Sequence, residues 1–506
     1  MTLFLALLPI IWLIVGFVLL KLPGHICCSI GLAVTIIVAM IGSWHMSIGN
    51  AAWATLEGAA NAIWPICIIV IAAIFVYNLT VKSGGMEIIK TNLASVSADR
   101  RIQVLIVAWG FGGFLEGVSG FGTSVAIPAA ILVGLGFAPI EACIVCLLSN
   151  APVAVFGAIG IPTITAANAT GLDLFQLSAD TVLQLAVLIV VCPIFMVRVV
   201  GKLKGVWGIT LASGISFAVP AYLLARFAGP ELTTLIGGVV SMAVTILLAK
   251  FTHKSVDPEY EMDGVEDARL KMKGISKGHM LQAWAPFGLV FVILFFTSSI
   301  FPAINGWLTN TFKSGIVLYP GTKPTTFKWI NNPGVLIIIA GIIGGFVQKT
   351  SAKDMGRVFL GSIKQMLKSI ITIVTIIAIS TVMTRSGMIA DIAAALAATG
   401  SVYPIFAPII GGIGTFITGS VTSACALFSD LQNQTAAALG FNQSWLVAAN
   451  GAGATVGKII SPQSIAMATA ATGCVGSDGI IIRKAVIYCV IFLAFLAAVS
   501  FLGVIL

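Results

Sequence analysis

The fold class predicted is an all-α polytopic membrane protein with two inverted structural repeats, each interrupted by broken helices or hairpins, about 12–14 spans in all. Three observations predict it. Of 506 residues, 58% are hydrophobic and 9% charged, with a mean hydropathy of +1.08. Apolar runs long enough to cross a bilayer core of about 30 Å recur along the chain. The same short strings also appear twice, in the same order, about 300 residues apart.

Residues 1–50 hold two apolar runs, 3–20 and 26–43, read as an N-terminal helix pair. The first run lacks a basic leader and a small-x-small cleavage site, so it is expected to stay as a helix. Residues 51–200 form the first repeat, with apolar runs at 62–80 and 181–197. Residues 201–249 supply connecting helices (206–226 and 231–249). The stretch 250–280 is too polar to cross, with six Lys/Arg and six Asp/Glu between 250 and 277, and reads as a charged linker. Residues 281–352 give further connecting helices (281–300 and 334–348) around a loop at 301–332 rich in Pro, Gly, Thr and Asn. Residues 353–478 form the second repeat, and 479–506 a C-terminal helix.

Basic residues gather on cytoplasmic loops. Lys82, Lys90, Arg100 and Arg101, then Arg198, Lys202 and Lys204, then Lys349, Lys353, Arg357, Lys364 and Lys368 mark three such loops, and the charged linker joins them. Parity places the N-terminus and the 301–332 loop outside. The net charge of +9 is explained by these loops and does not point to nucleic acid. Nine cysteines, an odd number scattered through apolar stretches, read as buried thiols, so neither disulfides nor a metal or other cofactor is expected.

"KSGGM" at 82–86 matches "RSGM" at 385–388. Met86 lies 31 residues before Gly117 in "FLEG", and Met388 lies 31 before Gly419 in "FITG". "LGF" follows at 135–137 and at 439–441; Asn150 precedes Pro162 by twelve, as Asn450 precedes Pro462. Lys82 falls at a cytoplasmic helix end and Arg385 at an outer one, so the copies run in opposite senses. Inverted repeats of this kind build secondary transporters, with the binding site where the copies meet.

Each copy carries a polar, glycine-rich interruption, "EGVSGFGTS" at 116–124 and "TGSVTSACA" at 418–426. Unwound backbone survives in a membrane only against protein or a wet cavity. Helix N-termini there would present free N–H groups to a small carboxylate, and Ser119, Thr123, Ser124, Thr422 and Ser423 add hydroxyl donors. The competing reading is close helix packing through small residues; recurrence in both copies favours a site. Asn150 and Asn450 offer donors and an acceptor without charge, for substrate or for an interhelical bond. Lys458 lies between apolar stretches, where a lysine is expensive, and could meet a substrate carboxylate or snorkel to an interface. Gln463 could order the same site. Apolar surroundings disfavour the charged form of Glu116, so its carboxyl suits proton coupling; a Glu–Lys pair or a helix cap is the structural alternative. Its repeat partner is Thr418, so only one half carries a carboxyl here. Asp430, Arg385 and Glu141 are weaker candidates. A proton moving with a monoanion cancels the roughly 2.3 kcal/mol per 100 mV that the bare anion faces.

The strings "GFLEGVSGFGTSVAIPAAILVGLGF" (113–137) and "GKIISPQSIAMATAATG" (457–473) resemble the bacterial lactate permease family, and the likeness covers nearly the whole chain. The resemblance implies uptake of L-lactate, and often D-lactate or glycolate, by proton symport across the bacterial plasma membrane. By analogy with related families it also implies an elevator-like arrangement of scaffold and moving domain. The expected partners are a small 2-hydroxy monocarboxylate, a proton and the lipid bilayer; a homodimer is one arrangement left open. The rival is a sodium-coupled carrier of dicarboxylates or other organic anions. No enzyme motif is present, and "GFGG" at 110–113 lacks a βαβ context.

Overall fold

Helices begin where the sequence supplies caps. Side chains of Ser47, Ser351, Ser420 and Asn442 accept hydrogen bonds from backbone N–H groups of the first turn. The computed structural model describes residues 2–20, 22–120, 122–253, 256–262, 264–298, 300–322, 324–474 and 476–505. Phe121, inside the first interruption, and residues 254, 255 and 263 of the charged linker lie outside them.

Among the described residues, ten helices are long and apolar enough to cross a membrane. The count is eleven if Pro139–Asn150 and Ala154–Thr170, bent by 64°, form one span. That is fewer than the 12–14 expected; Thr2–Phe17 and Pro333–Val347 are apolar but shorter. The chain is a multi-pass, helical membrane protein. Its one described sheet is a two-stranded antiparallel hairpin, Lys313–Ile316 with Thr325–Lys328, inside the loop expected to be irregular. The Trp64 indole donates to Lys328 O at 3.3 Å, which holds this hairpin against a bend in Ile48–Lys82. The bend sits at Trp64 (φ −123°, ψ 115°), the residue before a proline, where helical geometry is disfavoured.

Two runs of elements share one order. The first is Ile48–Lys82 (35 residues), Gly85–Ala94, Arg100–Val118 (19 residues), Thr123–Gly134, Pro139–Asn150, Ala154–Thr170 and Leu174–Val200. The second is Ala352–Ser386 (35 residues), Met388–Ala397, Gly400–Thr418 (19 residues), Val421–Leu439, Gln443–Gly457, Pro462–Thr472 and Asp478–Ile505.

The two 35-residue helices lie antiparallel. Glu57 meets Arg385 towards one end, while Phe75 meets Phe359 (centroids 5.4 Å apart) and Asn78 meets Ser362 (3.0 Å) towards the other, so the rise from 57 to the seventies on one helix goes with a fall from 385 to about 360 on the other. Gly400–Thr418 packs directly on Gln443–Gly457. A Cβ on Gly453 would sit 1.8 Å from Pro408 O, and one on Gly457 would sit 2.1 Å from Gly412 O. Small residues are what let helix backbones approach this closely.

The charged linker is more ordered than a free connection. Residues 264–273 form a helix, and Tyr260 is buried under the Arg101 guanidinium, 3.9 Å from its ring centroid. Arg101 also bonds Asp99 and the carbonyls of Lys202 (3.0 Å) and Lys204 (2.9 Å), while His253 Nε2 lies 2.8 Å from Asp99 Oδ2. Three loops expected on the cytoplasmic face are thereby tied together.

Candidate functional site

Each run of elements breaks twice, and chain chemistry explains the first pair of breaks. Gly122 (φ +87°) and Gly419 (φ +71°) occupy left-handed backbone that L side chains resist. Gly122 precedes Thr123–Gly134; Gly419 ends the preceding helix and is followed by the cap Ser420. The second breaks follow Asn150 and Gly457. In the first of these, Ala158 (φ 46°) and Ile159 (φ 60°) adopt left-handed backbone without being glycine. Such strain persists only where surroundings enforce it, and it gathers at functional sites.

Four segments bring Glu116, Ser124, Asn150 and Lys458 into one buried cluster. Glu116 is 2% exposed and Lys458 7%. Glu116 Oε2 accepts from Asn150 Nδ2 (2.7 Å) and from the Ser124 hydroxyl; Oε1 lies 3.2 Å from Lys458 Nζ. Asn150 Nδ2 is also 3.0 Å from Ser124 Oγ. Gly157 leaves the room this carboxylate needs, since a Cβ there would sit 2.2 Å from Oε1. Lys458 has three donors. Glu116 is its one hydrogen-bond partner among the described residues. Lys458 is therefore buried beside Glu116, not at an interface.

A cavity of about 240 Å³ opens beside this pair. Both interruptions line it: Glu116, Gly120, Gly122 and Thr123 from the first, Gly419, Ser420, Val421 and Thr422 from the second, with Lys458 and Gln463. The first residues of three helices (Thr123–Gly134, Val421–Leu439 and Pro462–Thr472) thus border one space. Each helix N-terminus contributes a partial positive charge and free N–H groups. Glu116 and Lys458 offset one another, so the remaining field favours a small anion. The antiparallel helices supply the opposite wall through Ile74, Gln365, Met366 and Ser369.

The other expected residues are placed differently. Ser119 is fully buried and its hydroxyl is used locally, on Leu115 O (3.1 Å) and Thr123. Ser423 lines a neighbouring pocket of about 450 Å³, which shares Ser369, Gly419, Ser420 and Gln463 with the central cavity and contains Lys368. Asn450 is fully buried away from the cavity lining, with neither amide atom paired. Glu141 pairs with Arg100 (2.8 Å), Arg385 with Glu57 (2.6 Å), and Asp430 accepts from Thr384 (2.8 Å). Sequence reasoning missed Ser420, although a serine after the helix-ending Gly419 is a capping signal. It also missed Gln365 and Ser369, which carry no signal beyond being polar on a long helix.

The sequence profile described as L-lactate permease matches residues 2–506. An L-lactate permease of Streptococcus iniae is 44% identical over 451 residues, covering 88% of this chain and 93% of the relative. The glycolate permease GlcA of Escherichia coli (strain K12) is 35% identical, covering 98% and 94%. An L-lactate permease of Bacillus subtilis (strain 168) is 34% identical, covering 98% and 95%. Among solved structures, Neisseria gonorrhoeae MtrF, described with a class of antimetabolite efflux pumps, superposes with a TM-score of 0.52 over 96% of this chain and 95% of its own. At 14% identity that likeness concerns the fold alone.

Proposed function

Since the chain belongs to the L-lactate permease family, we propose that it imports L-lactate, and D-lactate or glycolate, together with a proton across the bacterial plasma membrane. The convergence of both interruptions on a single cavity beside Glu116 and Lys458 carries this reading.

The substrate carboxylate and the Glu116 carboxylate compete for one ammonium. With Glu116 ionised, Lys458 is engaged, and a second anion about 4 Å away faces a repulsion of about 4 kcal/mol at an effective dielectric near 20. Protonation of Glu116 removes that repulsion and frees Lys458 for the incoming carboxylate. Thr123, Thr422 and Gln463 then offer hydrogen bonds to the carboxylate and the 2-hydroxyl. Anion and proton therefore bind together and leave together, without net charge. Release toward the cytoplasm is supported by the lining shared between the central cavity and the pocket of Lys368.

In this reading the two runs of elements are inverted repeats. The antiparallel 35-residue helices belong to the scaffold, and the broken segments move against it as an elevator. Purified protein in liposomes tests the transport reading. Radiolabelled lactate should accumulate when the outside is made acidic, and unlabelled glycolate should compete. No uptake above empty liposomes rejects it.

A further inference from the structure

A second polar space lies beside the Lys313–Ile316/Thr325–Lys328 hairpin. Two cavities of about 290 and 390 Å³ share Glu57, Asn61 and Asn168 and so form one vestibule. None of its lining residues borders the central cavity.

Arg385 lines this vestibule. Its Nε and Nη2 donate to Glu57 at 2.9 and 2.6 Å, and its guanidinium carbon lies 4.7 Å from the Tyr319 ring centroid. A guanidinium has five N–H donors in a fixed fork, and Nη1 has no hydrogen-bond partner among the described residues. Thr165 points to a ligand independently. It lines the same cavity at 3% exposure, and its hydroxyl has no partner. Among the other charges of the vestibule's surroundings, Asp430 is bonded by Thr384 and Gln434, while Glu231 and an exposed Lys328 line the hairpin end. Burial pushes the Glu231 carboxyl up to about 7, so it bears less than a full charge at neutral pH.

We propose that this vestibule is an outer binding station for a small 2-hydroxycarboxylate, with the carboxylate on the free edge of Arg385 and the hydroxyl at Thr165. Arginine suits the task because one planar fork can hold two carboxylates on two edges, whereas an ammonium is a point charge. The ligand class rests on the transport reading above; the station itself rests on the vestibule.

Equilibrium binding of radiolabelled L-lactate to purified protein tests the station. Wild type should bind two molecules per chain. The neutral double variant Glu57→Gln/Arg385→Gln should bind one, and Glu116→Gln/Lys458→Met should also bind one. Thr165→Val, which leaves the ion pair intact, should weaken one of two sites about fivefold to tenfold; it decides the matter if the double variant does not fold. A single wild-type site, lost in Glu116→Gln/Lys458→Met and unchanged by the vestibule variants, overturns the station and spares the transport reading. Two sites indifferent to every vestibule variant also overturn it. Absence of binding in wild type rejects both.

Discussion

Glu116 accepts hydrogen bonds from side chains on three other segments, and both it and its Lys458 partner suggest an experiment. Glu116→Gln keeps the size but cannot give up a proton. Accumulation driven by a pH gradient should vanish while lactate counterflow persists, measured on the same liposomes; loss of counterflow as well would make Glu116 a ligand or a structural residue. Lys458→Met removes the one buried ammonium of the cavity. Lactate affinity should fall at least tenfold, about 1.4 kcal/mol or more, and an unchanged affinity would remove Lys458 from the site. Glu116 and Lys458 were legible in the sequence because ionisable residues are rare between apolar stretches. A Glu–Lys pair was one of the sequence's readings of Glu116 and is the geometry observed; that Lys458 is the partner was not legible, since 342 positions separate them. Asn450 shows the converse. Its spacing to Pro462 repeats that of Asn150 to Pro162, yet it is buried off the cavity lining with neither amide atom paired.

Among the elements, the interruptions were readable from glycine spacing, since left-handed backbone at Gly122 and Gly419 leaves few alternatives. The Lys313–Ile316/Thr325–Lys328 hairpin was not, because its strands are only four residues each, too short for a periodicity signal. Helix contact through Gly453 leaves no room for a side chain. Gly453→Leu should lower the melting temperature in detergent and reduce folded yield, an overpacking effect of at least about 1–3 kcal/mol; a wild-type melting temperature would mean the two helices are not so close. The loop clamp at Asp99 gives a pH prediction. Burial pushes this carboxyl up, but hydrogen bonds and charge from Arg101, with His253, outweigh it and hold the carboxyl below its ordinary range. A depressed value stabilises the fold at pH above the unfolded value of about 3.9, and that stability is lost as pH falls through the folded value. Asp99→Asn should therefore melt below wild type at pH 7 and pH 5, with the gap closing only under about pH 4. A gap that closes between pH 7 and 5 would mean that this carboxyl is not held below its ordinary range.

For the whole molecule, the multi-pass helical class followed from hydropathy, whereas the meeting of the two interruptions needed coordinates. Their meeting places one ammonium, one titratable carboxyl and three helix N-termini around a space suited to a small acid. The coupling scheme makes transport electroneutral, because each anion moves with one proton. An imposed membrane potential, which would shift a bare monoanion by about 2.3 kcal/mol per 100 mV, should leave the initial rate of lactate uptake unchanged at fixed pH gradient. The most direct measurement is lactate accumulation in proteoliposomes under an imposed pH gradient, with and without sodium. Uptake that rises with external acidity and ignores sodium is the predicted result; uptake that requires sodium and is indifferent to the pH gradient would contradict it.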